Sequence, residues 1–256
     1  KVFHGDIRSQ SDTDALPPAD WVLDCAANPS VLAGSGSLSD TSSRQLLENN
    51  LGGTVNLLEY CKRSGAGFIL ISTSRVYSIE DLCALNLKVK GDRLAPAAPY
   101  GVKGFTARGV TEEFSTRPPI SLYGATKAAS ETLALEYGSA FGFPVRINRC
   151  GVIGGPGQFG RIDQGIISFW VYSRLLGRPL KFIGHGGRQV RDCMDAADAA
   201  ELALRQMKSP SKKAPAVINA GGGLHCSVSL RELDAMCTEY FGRNGEVGVV
   251  KEERRY

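Results

Sequence analysis

The chain has 256 residues, 43% of them hydrophobic and 22% charged, enough to bury an ordinary core in one large domain or two joined ones. Thirty basic against 26 acidic residues leave a formal net charge of +4, too mild and too scattered for a nucleic-acid surface but suited to an anionic small molecule. Seven cysteines without a CxxC pair and three scattered histidines argue against a disulfide frame or zinc site and for reduced thiols in the cytoplasm; no apolar run is long enough to span a bilayer.

Lys1-Val2-Phe3-His4-Gly5-Asp6 reads as the end of a strand, and the absence of an initial methionine suggests a fragment. Trp21 to Ala27 is a short apolar run ending in small residues that reads as a buried strand. Leu32 to Asp40 is rich in Gly and Ser and reads as a mobile loop. Ser42 to Lys62 has apolar residues at helical spacing, and Ser64-Gly65 stops it. Phe68 to Ile71 is a second buried strand, and Ala84 to Arg117 reads as a loop-rich excursion. Ala125 to Phe141 is a long helix and Val145 to Asn148 a third strand. Beyond Gly151 the pattern predicts helices at 164–176, 196–207 and 229–241 and strands at 179–183 and 216–219. Buried strands alternating with long helices give an α/β fold, a parallel sheet doubly wound with helices on both faces.

Tyr123-Gly124-Ala125-Thr126-Lys127 heads the long helix. Positions i and i+4 share a helical face, so phenol and ammonium address one small volume. A nearby cation favours the phenolate, and a phenolate suits removal of a proton from an alcohol during hydride transfer.

Several further sequences fall where one family needs them: DCAANPSV from Asp24, STSRVYS from Ser72, PISLYGATKAASE from Pro119 and INRCGVIGGPGQFG from Ile147. With these the chain resembles the extended short-chain dehydrogenase/reductase family, the NAD-dependent nucleotide-sugar epimerases and dehydratases. The resemblance implies catalytic roles for Thr73, Tyr123 and Lys127. Thr73 donates to the oxygen that becomes a carbonyl, from the carboxyl end of a strand, where open sheets bind ligands. It implies cofactor contacts at Asp6 and Ile7, at Ala26, Ala27 and Asn28, at Asn50 and Ser72, and at Arg149, Cys150 and Val152. It implies substrate contacts at Ser74 and Arg75, and it puts the substrate's nucleotide diphosphate near Gln158 and Phe159 and near Arg188 and Arg191, since arginine forks suit diphosphate oxygens.

Dehydratases of this family usually follow the threonine with Asp-Glu, but here Ser74 and Arg75 stand there. Arginine stays protonated and cannot serve as the eliminating base. The resemblance therefore favours an epimerase with NAD as cofactor and a nucleotide-diphosphate sugar as substrate. A homodimer is expected through the helices at 42–62 and 124–142. Another 4-epimerase or reductase, or a non-catalytic family member, stays open. Residues 1–157 are expected to form the Rossmann-like NAD-binding domain and 158–256 the substrate portion, with some elements returning to the sheet. The family's glycine-rich phosphate loop precedes position 1 in this register, so a longer protein by roughly one βαβ unit and a strand is expected.

Overall fold

The computed structural model describes residues 1–34, 41–161, 164–208, 214–242 and 245–250. They fall into two units: Lys1–Tyr77, Thr116–Cys150 and Ala200–Asn219 form the first, and Ser78–Ser115, Gly151–Ala199 and Ala220–Tyr256 the second. Each is assembled from three separate stretches; the sequence reading divides the chain after residue 157, with some later elements returning to the sheet.

The first unit is built on four strands, in the order β1 (Trp21–Asp24), β2 (Gly67–Thr73), β3 (Val145–Cys150) and β4 (Val217–Ala220). β1 and β3 both run parallel to β2, with Asp24 beside Leu70, Ser72 beside Arg149 and Thr73 beside Cys150. Parallel strands covered on both faces need continuous apolar runs, and Phe68, Ile69 and Leu70 are fully buried. Helix α1 (Gly53–Ser64) and helix α2 (Ser121–Phe141) cover the sheet. Leu58, Cys61, Phe68, Leu70, Ala134 and Ile147 form the centre of that core. The chain is helical from Ser43 onward, with a π turn over Glu48–Gly52 leading into α1. Gly65 ends α1 in the left-handed conformation, as the sequence suggests.

In the second unit the strands Ser227–Ser229, Val190–Asp195 and Val152–Gly154 form one sheet, and Leu180–Ile183 pairs in parallel with Val247–Val250. Its core holds Trp170, Leu180, Phe182, Leu233 and Cys237. Arg174 braces that core through a double contact with Asp234 at 2.6 Å.

Two local expectations are corrected. Residues 1–6 form no strand, because a strand exists only through a partner's ladder and no described segment pairs with them; Val2 is 84% exposed. The excursion at 84–117 contains two hairpins, Leu87–Lys90 with Arg93–Pro96 and Phe105–Thr106 with Gly109–Val110. Of the Gly- and Ser-rich stretch at 32–40, positions 35–40 lie outside the described residues.

Candidate active site

Thr73 ends β2, and its hydroxyl accepts the backbone N–H of Arg75 at 3.1 Å. That bond turns the chain out of the sheet into a 3₁₀ turn over Ser74–Val76. Helix α2 starts directly against this turn. A Cβ placed on Gly124 would stand 2.3 Å from the carbonyl oxygen of Arg75, so only glycine lets the helix come this close. The approach brings the buried Tyr123 phenol beside Thr73, whose hydroxyl favours the ionised form of the phenol.

Burial raises the Tyr123 phenol above its ordinary value of 10.0; the Thr73 bond and the charge of Arg75 act in the opposite direction. Arg75, two residues past Thr73, is thus a cation that favours this phenolate. Lys127 lies one turn further along α2, is 2% exposed, and among the described residues has no hydrogen bond or ion pair of its own. Burial lowers its ammonium below 10.5, opposed first by the negative charge of Asp24 and then by Cys25, Glu131 and Cys150.

Asp24 is a site residue the sequence reading passed over. Fully buried at the carboxyl end of β1, it accepts from Ala26 N at 3.0 Å and from the Thr54 hydroxyl at 2.7 Å. A carboxylate closing an otherwise apolar strand is the signal that could have found it.

Around these residues, Asn50 sits fully buried in the π turn. Its side chain binds both backbone groups of Asn28, at 2.7 and 3.1 Å, and reaches Thr126 of α2 at 3.3 Å. It thus fixes the segment after β1, including the half-buried Ala26 and Ala27, against the helix that carries Tyr123. The same π turn contributes Glu48 and Gly52 to a surface hollow of about 680 Å³, lined also by Asp6, Arg8, Ser9, Val55 and Asn56. Asp6 bonds Arg8 there, which holds its carboxyl down at about 2. Ile7 lies against Gly53, where a Cβ would meet it at 2.3 Å.

The structure turns two expected cofactor contacts inward. Ser72 donates to Glu131 of α2, and Arg149 grips the same carboxylate at 2.7 to 3.1 Å while lying over the Tyr77 ring. Neutralising a buried carboxylate requires such a partner, so these side chains serve the fold. Cys150, at the end of β3, is buried, and burial pushes its thiol up to about 11.

Val152 belongs to the second unit, where it pairs with Cys193. Among the expected substrate contacts, Gln158 donates to Ile153 O at 3.0 Å and accepts from Ser168 at 2.7 Å, bracing its own loop. Phe159 is 86% exposed. Arg191 contacts Val190 O and Gln189, and Arg188 keeps a buried Nε with no hydrogen-bond partner. Ser74 is exposed and Arg75 half-buried.

The arrangement in the first unit, a hydroxyl on a phenol with a buried ammonium one turn away, is chemistry for moving a proton at an alcohol or carbonyl. The donor set also fits a dinucleotide: a hollow at Asp6, a fixed segment at 26–28, and a buried ammonium with no side-chain partner among the described residues, able to meet ribose hydroxyls. Among the described residues no group of metal-ligating side chains assembles, and no helix is long and apolar enough to cross a membrane.

Comparison with known proteins agrees with this geometry. The chain is 27% identical over 249 residues to CDP-paratose 2-epimerase of Salmonella typhi, covering 94% of this chain and 69% of that one. The structure of MoeE5 in complex with UDP-glucose and NAD superposes with a TM-score of 0.73 at 28% identity, over 98% of this chain and 72% of that one. UDP-glucuronic acid 4-epimerase from Bacillus cereus, in complex with UDP-glucuronic acid and NAD, gives 0.72 at 25% identity over 98% and 69%. Residues 1–221 match the family described as the NAD dependent epimerase/dehydratase family, and the chain belongs to it.

Proposed function

We propose that the protein epimerises a nucleotide-diphosphate sugar through transient oxidation to a keto-sugar, and that its substrate is CDP-paratose, inverted at C2. The observation that carries the reading is the buried Tyr123 phenol beside the Thr73 hydroxyl, with the buried Lys127 ammonium one turn along the same helix. NAD, when bound, supplies a hydride acceptor that also returns the hydride.

The chain's own residues handle the proton and the oxygen. Ionised Tyr123 takes the proton of a sugar hydroxyl, and Thr73 donates to that oxygen as it becomes a carbonyl. Lys127 presents its ammonium to the cofactor's ribose hydroxyls, with Asp24 behind it. When hydride returns to the opposite face, Tyr123 gives its proton back to the sugar oxygen, so protons and electrons balance over the cycle. Asp6, Ile7, Ala26, Ala27, Asn28, Asn50 and Cys150 are the cofactor's surroundings in this reading, and Arg188 and Arg191 are the diphosphate's. Ser74 and Arg75 replace the Asp-Glu pair that elimination of water would use, which favours epimerisation over dehydration. The similarity to the Salmonella typhi enzyme supports the choice of substrate.

A second reading, a UDP-sugar 4-epimerase, draws on the similarity to the Bacillus cereus enzyme. We place the protein in the cytoplasm, where its seven free cysteines stay reduced, and expect a homodimer through the two long helices, which expose Leu47, Leu122, Leu135 and Phe141. The test is conversion of CDP-paratose, UDP-glucose and UDP-glucuronate by the purified protein with NAD, read by product analysis. A product epimeric at C2 from CDP-paratose supports the reading. Inversion of a UDP-sugar at C4 supports the second, and no conversion of any sugar refutes both.

A further inference from the structure

Two of the seven cysteines meet across strands of the second unit. The antiparallel ladder between Val190–Asp195 and Ser227–Ser229 sets Val190 opposite Ser229, Arg191 opposite Val228 and Asp192 opposite Ser227. One further step in that register puts Cys193 opposite Cys226, the last residue of the 3₁₀ turn Leu224–Cys226. Facing residues of an antiparallel pair have Cα atoms about 4.5–5.5 Å apart, with both side chains on one face of the sheet. A disulfide needs Cα atoms roughly 4.4–6.8 Å apart, so the register suits one.

The glycines before Cys226 show the same approach. A Cβ on Gly222 would overlap both the carbonyl oxygen of Cys193 and the Cβ of Cys226, and would stand 2.9 Å from the Cys226 Sγ. The Cys226 side chain and the Cys193 backbone therefore lie against one point, which glycine leaves open. A Cβ on Gly221 would likewise overlap the carboxylate of Asp192, the residue before Cys193. The two thiols are unequal. Cys226 is exposed, whereas Cys193 is half-buried with its Sγ 3.7 Å from Arg191 O. Burial and then the charge of Asp192 push the Cys193 thiol up to about 11; Arg191 opposes the rise and Cys226 adds to it. An exposed thiol meets an oxidant first, and a neighbour that holds its proton is spared until the first has reacted.

We propose that Cys193 and Cys226 form a dithiol site that a hydroperoxide closes to a disulfide and a thiol reductant reopens. The Cys226 sulfur attacks the peroxide: an S–O bond forms, the O–O bond breaks, and the departing oxygen takes the thiol proton and leaves as water. The Cys193 sulfur then attacks the oxidised Cys226 sulfur. The S–S bond forms, the S–O bond breaks, and the hydroxyl leaves as water with the Cys193 proton. Two thiols lose two electrons and two protons, and the peroxide gains them. Disulfides in the cytoplasm are usually transient and redox-sensing, so the pair is reduced at rest and closes under oxidant. The site is independent of the sugar chemistry, and its test needs neither turnover nor cofactor.

The test is treatment of the reduced, purified protein with hydrogen peroxide at neutral pH, alkylation of the remaining thiols, and peptide mass mapping without reductant. A peptide pair joined through Cys193 and Cys226 of one chain should appear, lighter by two hydrogen atoms than its parts. Labelling of Cys226 by a maleimide should fall about tenfold or more on oxidation, and dithiothreitol should restore it. In Cys193→Ser the oxidised Cys226 has no thiol to close on, so it should pass on to sulfinic acid, which dithiothreitol does not reverse. The mapping of the wild type stands by itself should that variant fold poorly. Wild-type Cys226 found as sulfinic acid with Cys193 still alkylated overturns the proposal. So does Cys226 joined to another cysteine or to a second chain, or left unoxidised.

Discussion

Gly124 and Arg75 are in backbone contact: a Cβ on the glycine would stand 2.3 Å from the arginine's carbonyl oxygen. That oxygen belongs to the turn after Thr73, so relief must come from moving the helix that carries Tyr123. Gly124→Ala should therefore separate Tyr123 from Thr73 and destabilise the fold by about 1–3 kcal/mol, the usual range for overpacking. Chemical denaturation measures the second effect. Turnover should fall further than the stability loss explains, and an alanine variant with unchanged turnover contradicts the account of this contact.

Glu131 ties three elements together with one carboxylate, receiving Ser72 of β2 and Arg149 of β3 on helix α2. Its side chain is 6% exposed and that of Arg149 is 11%. Removing one partner of a buried pair costs about 3–5 kcal/mol, because the other charge is left behind. Glu131→Gln should show that loss in urea unfolding. Glu201, whose pairing with Arg205 is on the surface, is the control, and Glu201→Gln should leave stability nearly unchanged.

Lys127 should behave in the opposite way. Its ammonium is buried without a hydrogen bond, and burial is the main cause of its lowered pKa. Such a group is held for function at the expense of stability. Lys127→Met should melt at the same temperature as wild type or higher, while NAD binding and turnover fall. A clear drop in melting temperature would mean that the ammonium is a structural element.

Burial pushes the Cys61 thiol up to about 12 and the Cys150 thiol up to about 11, from an ordinary 9.0. Cys83 and Cys226 are exposed. A maleimide at neutral pH should label Cys83 and Cys226 well before Cys61 and Cys150, as peptide mass mapping would show. The sign for stability follows: thiols that hold their protons more tightly when folded add stability that is complete below pH 9 and is lost as pH rises through 11 to 12. Unfolding free energies measured between pH 8 and pH 11 should decline on this account, by up to about 1.4 kcal/mol per pH unit per thiol.

Much of this was legible from sequence because it depends on period and end signals. The continuous apolar run at 68–71 and the stop at Ser64-Gly65 yield β2 and the end of α1 directly. The four-residue step from Tyr123 to Lys127 yields their shared face. What escaped depends on packing between segments distant in the chain. Nothing local marks the π turn that aims Asn50 at Asn28, 22 residues away. The meeting of Ser72, Glu131 and Arg149 needs three elements in register, so Ser72 and Arg149 read as ligand contacts although the fold consumes their side chains. Helical spacing joins Tyr123 to Lys127, but the close approach of Gly124 to the turn after Thr73 comes from another element, and spacing does not reveal it.

The claim on which the account turns is that the sugar is oxidised and reduced again at one carbon, with Tyr123 as the base. The most direct measurement is the fate of deuterium placed at the inverted carbon of a nucleotide sugar that the protein converts. The account predicts that deuterium is retained in the product, because hydride leaves and returns without exchange with water, and that Tyr123→Phe lowers the rate by about 10²–10⁴. Loss of the label to solvent, or full activity of Tyr123→Phe, would contradict it.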